Sequence, residues 1–178
     1  FKHTRPKAGD DSLIEFWRPL GSDDMSQMGF GIETLLNSER FKFDVGASSY
    51  LAEQDVPDPF TEAHGTIATY LPIGGAQLAL RVGGKKVWGD SFPLHEAAFL
   101  GGQSSLRGYR WNRFVGDAAA FGGAELRIPI TRLVLFTRGD FGILGLADAG
   151  RVWYEGEDSD QWHTGFGGGL WFQTLSQA

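Results

Sequence analysis

The stretch Phe41-Lys42-Phe43-Asp44-Val45-Gly46-Ala47-Ser48 alternates without a break. Phe41, Phe43, Val45 and Ala47 share one side, and Lys42, Asp44, Gly46 and Ser48 share the other. Successive side chains of a β-strand point to opposite faces, so this period of two reads as a strand with one apolar and one polar face. The pattern recurs outward in both directions. Ala76, Leu78, Leu80 and Val82 stand against Gln77, Ala79 and Arg81, and Ala124, Leu126, Ile128 and Ile130 against Glu125, Arg127 and Pro129. Toward the C-terminus Phe166, Leu170 and Phe172 alternate with Gly165, Gly167, Gly169 and Trp171. The fold class is all-β.

The connections divide into two alternating kinds. Short ones fall at Pro6–Asp11, Asn37–Glu39, Pro72–Gly75 and Ile130–Arg132; longer polar ones fall at Gly21–Ser26, Ala52–Thr61, Trp88–Asp117 and Glu155–Gln161. Strands are expected at 1–5, 12–20, 27–36, 40–51, 62–72, 76–88, 118–130, 133–153 and 162–172. Several exceed the ~9–11 residues needed to cross a bilayer at a tilt. Short turns at one end and long loops at the other describe an antiparallel up-and-down transmembrane barrel. A soluble β-sandwich shares the alternation, with its apolar face as a core instead of a lipid surface. Aromatic placement favours the barrel: Trp153, Tyr154 and Trp162 bracket one long loop, Trp88 and Phe92 begin another, and Tyr50 precedes a third. Such residues form a girdle at a membrane interface. About nine strands is an odd number, and unpaired edges are not tolerated in lipid, so residues 1–178 are expected to be part of a larger barrel domain.

Composition narrows the function. Sixteen basic and 22 acidic residues give a formal net charge of −6, which disfavours nucleic acid as a partner. There is no cysteine, hence no disulfide framework, thiolate metal site or cysteine nucleophile. Glycine, at 26 of 178 residues, is about twice as frequent as usual, and aromatics reach 13%. The longest charge-free runs, 63–80 and 161–178, contain Pro72 with Gly74-Gly75 and Gly165 with Gly167-Gly168-Gly169. Neither would hold as a membrane helix. The opening Phe1-Lys2-His3-Thr4-Arg5 has no apolar signal-peptide core.

The most specific string lies in the longest connection. Phe99-Leu-Gly-Gly-Gln-Ser-Ser-Leu-Arg-Gly-Tyr109 is followed by Gly116-Asp117, then Glu125-Leu126-Arg127, then Asp148-Ala149-Gly150. In this order and spacing, residues 89–172 resemble the C-terminal barrel of the BamA-like outer-membrane assembly and secretion superfamily, the bacterial surface antigens. The resemblance implies that Leu106-Arg107-Gly108-Tyr109 is the motif of the sixth external loop, here about 88–117. The strands would then be numbers six to fourteen of a sixteen-stranded barrel. It further implies a bacterial outer-membrane location, with lipid and lipopolysaccharide around the barrel and client barrels or secreted polypeptides as partners. The implied role is insertion or translocation of polypeptides, without a cofactor and without enzymatic chemistry. Two alternatives remain: a barrel that anchors or exports a fused soluble domain, and a passive pore. Ser91-Phe92-Pro93 leading to Phe99, with His163-Thr164-Gly165, is closest to barrels fused to metallophosphoesterase-type domains.

The physical chemistry of the motif adds an expectation. A permanently charged guanidinium drawn out of bulk water needs carboxylate partners. If the loop folds inward, Asp148 and Glu125 stand on inward positions of neighbouring strands and are the expected partners of Arg107. Gly108 would permit the tight backbone and Tyr109 would pack on the lumen wall. Other strings read as ordinary structure. His95-Glu96 lacks the second histidine of a zincin motif, because position 99 is Phe. His3, His64, His95 and His163 are scattered without ligand spacing, so no metal site is expected. Glu155, Glu157, Asp158 and Asp160 read as a solvated loop instead of a Ca²⁺ site. Gly83-Gly84-Lys85-Lys86 is not a phosphate loop, and Gly165–Gly169 reads as a smooth patch of wall or a sharp bend. No catalytic residues are expected.

Overall fold

The computed structural model describes residues 2–4, 25–52, 58–134, 138–154, 156 and 160–174. The expected strand at 12–20, the turn at 6–11, and Glu155, Glu157 and Asp158 of the acidic loop lie outside these residues. The molecule is all-β and antiparallel. A seven-stranded sheet carries β3 (Gly29–Asn37), β4 (Phe41–Tyr50), β5 (Phe60–Ile73), β6 (Ala76–Trp88), β9 (Ala118–Val134), β10 (Arg138–Trp153) and β11 (His163–Thr174). Its spatial order is β3-β4-β5-β6-β9-β10-β11, so each strand pairs with its predecessor in a meander. The remaining strands are short. β1 (Lys2–Thr4) pairs with β2 (Met25–Gln27), and β7 (Ala98–Leu100) pairs with β8 (Phe114–Gly116) inside the long connection.

Register assigns every side chain to a face. Lys42, Asp44, Gly46 and Ser48 lie alongside Ala68, Thr66, His64 and Glu62 on β5. That face continues through Lys85 opposite His64, Arg81 opposite Gly123, and Asp148 between Gly123 and Gly165. The opposite face carries Phe30, Ile32, Val45, Ile67, Val82, Leu126, Ile143, Phe166 and Leu170, all large, apolar and exposed. Phe30, Ile32 and Phe166 are 72%, 79% and 79% accessible. In a sandwich this apolar face would be covered by a second sheet. Here the polar, inner face receives the β6–β9 connection, and the bare apolar face has the character of a lipid-facing wall. Among the described residues, the hydrophobic core sits at the long-loop end of the inner face, in two clusters built around Tyr50, Phe60 and Val87 and around Ala98, Leu100, Leu106 and Ala119.

Several boundaries differ from the sequence reading. Residues 27–36 are not one strand, because Met28 separates β2 from β3. The turn expected at Ile130–Arg132 lies inside β9, which continues to Val134. Thr131 pairs with Phe141 and Pro129 with Gly142, so Ile130 is an extra residue in a bulge. Proline has no N–H to give the ladder, and a bulge lets the strand continue past it. Asp140 then pairs with Arg132, which extends the hairpin beyond the apparent turn. At the β5–β6 hairpin, Gly74 adopts φ +60°, which supplies the left-handed residue a two-residue turn needs.

Candidate functional site: the folded β6–β9 connection

Residues 89–117 leave β6, fold over the inner face and return to β9. Their local structure starts with glycines. Gly101, Gly102 and Gly108 have φ of +127°, +85° and +94°, conformations that a side chain would strain. Ser105 staples the bend by accepting from the Gly101 amide at 2.9 Å and donating to its carbonyl at 3.0 Å. The Gly102 amide donates to the Tyr109 carbonyl at 3.2 Å. Leu106 is fully buried with Ala98, Leu100 and Ala119, beneath Tyr109, Phe114, Phe121 and Val152. The bend therefore points Leu106 into a core while Arg107, next in sequence, faces the wall.

Arg107 meets that wall with a full set of donors. Its backbone amide donates to Asp148 Oδ2 at 3.0 Å, Nε to Oδ2 at 2.7 Å, and Nη2 to Oδ1 at 2.7 Å. Nη1 donates to Glu125 Oε2, and Glu125 Oε1 accepts from Arg127 Nε at 2.6 Å. Hydrogen bonds to Asp148 hold the Arg107 guanidinium above its ordinary pKa, so the cation of this contact is permanently charged. The Asp148 side chain is completely shielded from solvent. A planar fork gripping one carboxylate with two parallel bonds is the strong form of this interaction.

The strands make room for it. Asp148 stands laterally between Gly123 on β9 and Gly165 on β11. A Cβ at Gly123 would collide with Asp148 Oδ1, and one at Gly165 would collide with the Arg107 carbonyl oxygen. The row continues to Arg81 on β6, whose Nη1 donates to the Gln103 carbonyl at 3.1 Å while its guanidinium lies over Phe121. The returning limb stacks Phe114 on His163 at 3.8 Å, with Tyr109 edge-on to His163 at 6.0 Å. The Tyr109 hydroxyl donates to the Thr164 carbonyl at 3.2 Å.

A second anchor lies at the outgoing end, and sequence reasoning missed it. A single 3₁₀ turn at Leu94–Glu96 buries Glu96 to 2% exposure. Lys85 Nζ lies 3.7 Å from Glu96 Oε2 and 2.5 Å from Glu62 Oε2, and the Tyr50 hydroxyl donates to Glu62 at 3.3 Å. Tyr50 stacks on Phe60 at 4.6 Å, and Phe92 packs against Phe60. Lys85 entered the sequence reading only within Gly83–Lys86, a string that is not a phosphate loop. Glu96 gave no signal, because its loop has no period.

The aromatics expected at the membrane interface sit together at this end. Trp88 closes β6, Trp153 closes β10, Tyr154 follows it and Trp162 precedes β11. All four are exposed, and Trp153 and Trp162 meet edge to face at 6.5 Å. Their position at one rim of the sheet suits an amphipathic belt.

A one-layer antiparallel sheet with a bare apolar outer face, a charged inner face and a connection folded against it defines a membrane-barrel wall. Comparison with known proteins makes this specific. The Omp85 superfamily domain matches residues 33–174, from within β3 to the end of β11, and the chain belongs to that superfamily. Its members are outer-membrane β-barrel proteins of polypeptide assembly and translocation, which gives the general role. No curated protein gives a significant match.

Proposed function

We propose that residues 89–117 are the sixth external loop of a BamA-like barrel, and that Arg107 braces this loop against the lumen wall while client polypeptides are inserted or translocated. The observation that carries the reading is the grip of Arg107 on Asp148 and Glu125 from two successive strands. Such a contact fixes the relative position of β9, β10 and the loop without covalent chemistry. The brace acts mechanically, so no cofactor or catalytic residue is assigned. The surrounding partners are outer-membrane lipid and lipopolysaccharide at the apolar face, and client barrels or secreted chains.

A passive pore fits less well, because the connection occupies the inner face instead of leaving it open. The test is Arg107→Ala and Asp148→Ala in the full-length protein, read by gel mobility with and without boiling and by recovery of client proteins in the outer membrane. The brace predicts a barrel that unfolds more easily together with reduced client assembly. Unchanged mobility and unchanged client levels in both variants would refute it. Stable barrels carrying a surface-exposed soluble domain, with normal client levels, would point to an anchor or exporter of a fused domain, including one of hydrolase type.

A further inference from the structure

Away from the loop, the inner face gathers a second set of side chains. Glu33 on β3, Asp44 on β4 and His64 on β5 each direct one potential ligand atom to a common point, and those atoms lie within 4.8 Å of one another. Register explains the convergence. Glu33 pairs with Gly46 and Gly46 pairs with His64, so the two flank a position without a side chain. A Cβ at Gly46 would come within 2.6 Å of His64 Cε1, because the imidazole lies over that gap. Asp44 stands two residues before Gly46 on the same face and closes the third side. His64 Nε2 and Asp44 Oδ1 are 4.0 Å apart, too far for a hydrogen bond. Asp44 Oδ1 is shielded from solvent and has no hydrogen-bond partner among the described residues.

We infer that Glu33, Asp44 and His64 form a binding site for a divalent transition-metal ion of the zinc class, linking β3, β4 and β5 on the inner wall. Two carboxylates and one imidazole are hard-to-borderline donors suited to Zn²⁺, which binds such groups at ~2.0–2.2 Å in tetrahedral geometry. Ligand atoms on such an ion lie about 3.4 Å apart. The His64–Asp44 pair, 4.0 Å apart, therefore has to close by about 0.6 Å, and no pair in the set, all within 4.8 Å, by more than about 1.4 Å. Two carboxylates also neutralise the charge of a divalent ion. Lys85, the cation beside His64, is held by Glu62 and Glu96. With three protein ligands the fourth position falls to water, and the ion acts as a clip across three strands.

The inference is independent of the brace. The full-length protein in detergent is titrated with Zn²⁺, Co²⁺ and Mg²⁺ in competition with a chelator, with heat-modifiable mobility confirming that each variant is folded. The expected result is one equivalent of Zn²⁺, a visible absorption band with Co²⁺, and no response to Mg²⁺. His64→Ala should weaken Zn²⁺ by at least about tenfold and abolish the Co²⁺ band, while His3→Ala leaves both unchanged. The exposed Glu33→Gln change should also weaken Zn²⁺ without affecting folding, which keeps the test open if His64→Ala misfolds. Absence of stoichiometric Zn²⁺ binding to the folded wild type, or binding unaltered by Glu33→Gln and His64→Ala together, overturns the site.

Discussion

The two ends of the β6–β9 connection are anchored by different chemistry. At the returning end, Arg107 meets Asp148 and Glu125 with a rigid fork, Gly123 leaves room for the Asp148 carboxylate, and Gly165 lets the loop backbone lie on the wall. At the outgoing end, Lys85 is shared between Glu62 and Glu96, and the packing of Tyr50, Phe60 and Phe92 does much of the holding. A guanidinium fork fixes direction as well as distance, whereas an ammonium is a point charge on a flexible stem. The Arg107 end should therefore set the position of the loop, and the Lys85 end should restrain it.

That contrast can be broken by substitution. The largest effect is expected from Arg107→Ala, which leaves Asp148 shielded from water beside Glu125 without its cation. Removing one partner of such a set costs on the order of 3 kcal/mol, and the boiling-dependent mobility shift should move to clearly lower temperature. Gly165→Val comes next, at about 1–3 kcal/mol, because the new side chain occupies the place of the Arg107 carbonyl. Its signature is protease cleavage within 101–113 in intact cells, with the barrel still folded. Lys85→Met should cost about 1–2 kcal/mol and loosen 89–97 while leaving 105–109 protected in hydrogen exchange. The smallest effect belongs to Trp162→Ala, about 1 kcal/mol or less. It removes the edge contact with Trp153 at the rim and should alter detergent or lipid sensitivity more than loop protection.

The sequence was legible where a physical period or a stereochemical requirement was at work. Alternation assigned Lys42, Asp44, Arg81, Glu125 and Arg127 to one face, since a strand allows only two sides. The length of β9 was obscured by Pro129, whose usual meaning as a strand end was overridden by the bulge at Ile130. The seat of Arg107 was partly hidden. The Gly165–Gly169 run announced a smooth wall, but only register shows that Gly165 lies beside Asp148 and beneath the Arg107 carbonyl. Glu96 and the convergence of Glu33, Asp44 and His64 could not be read at all. The first depends on an irregular loop, and the second on side chains 11 to 31 positions apart that strand pairing brings together, where no sequence spacing carries the information.

If Arg107 and Asp148 act as one unit that holds the loop to the wall, the effects of removing them are coupled. The most direct measurement is a double-mutant cycle of Arg107→Ala and Asp148→Ala on the full-length barrel, with unfolding followed by the mobility shift. Coupled residues are non-additive, with interaction energies of about 0.5–3 kcal/mol. The brace predicts a double variant no less stable than Arg107→Ala alone, because the stranded carboxylate has been removed. Destabilisation that simply adds, as for two residues that do not touch, would contradict it.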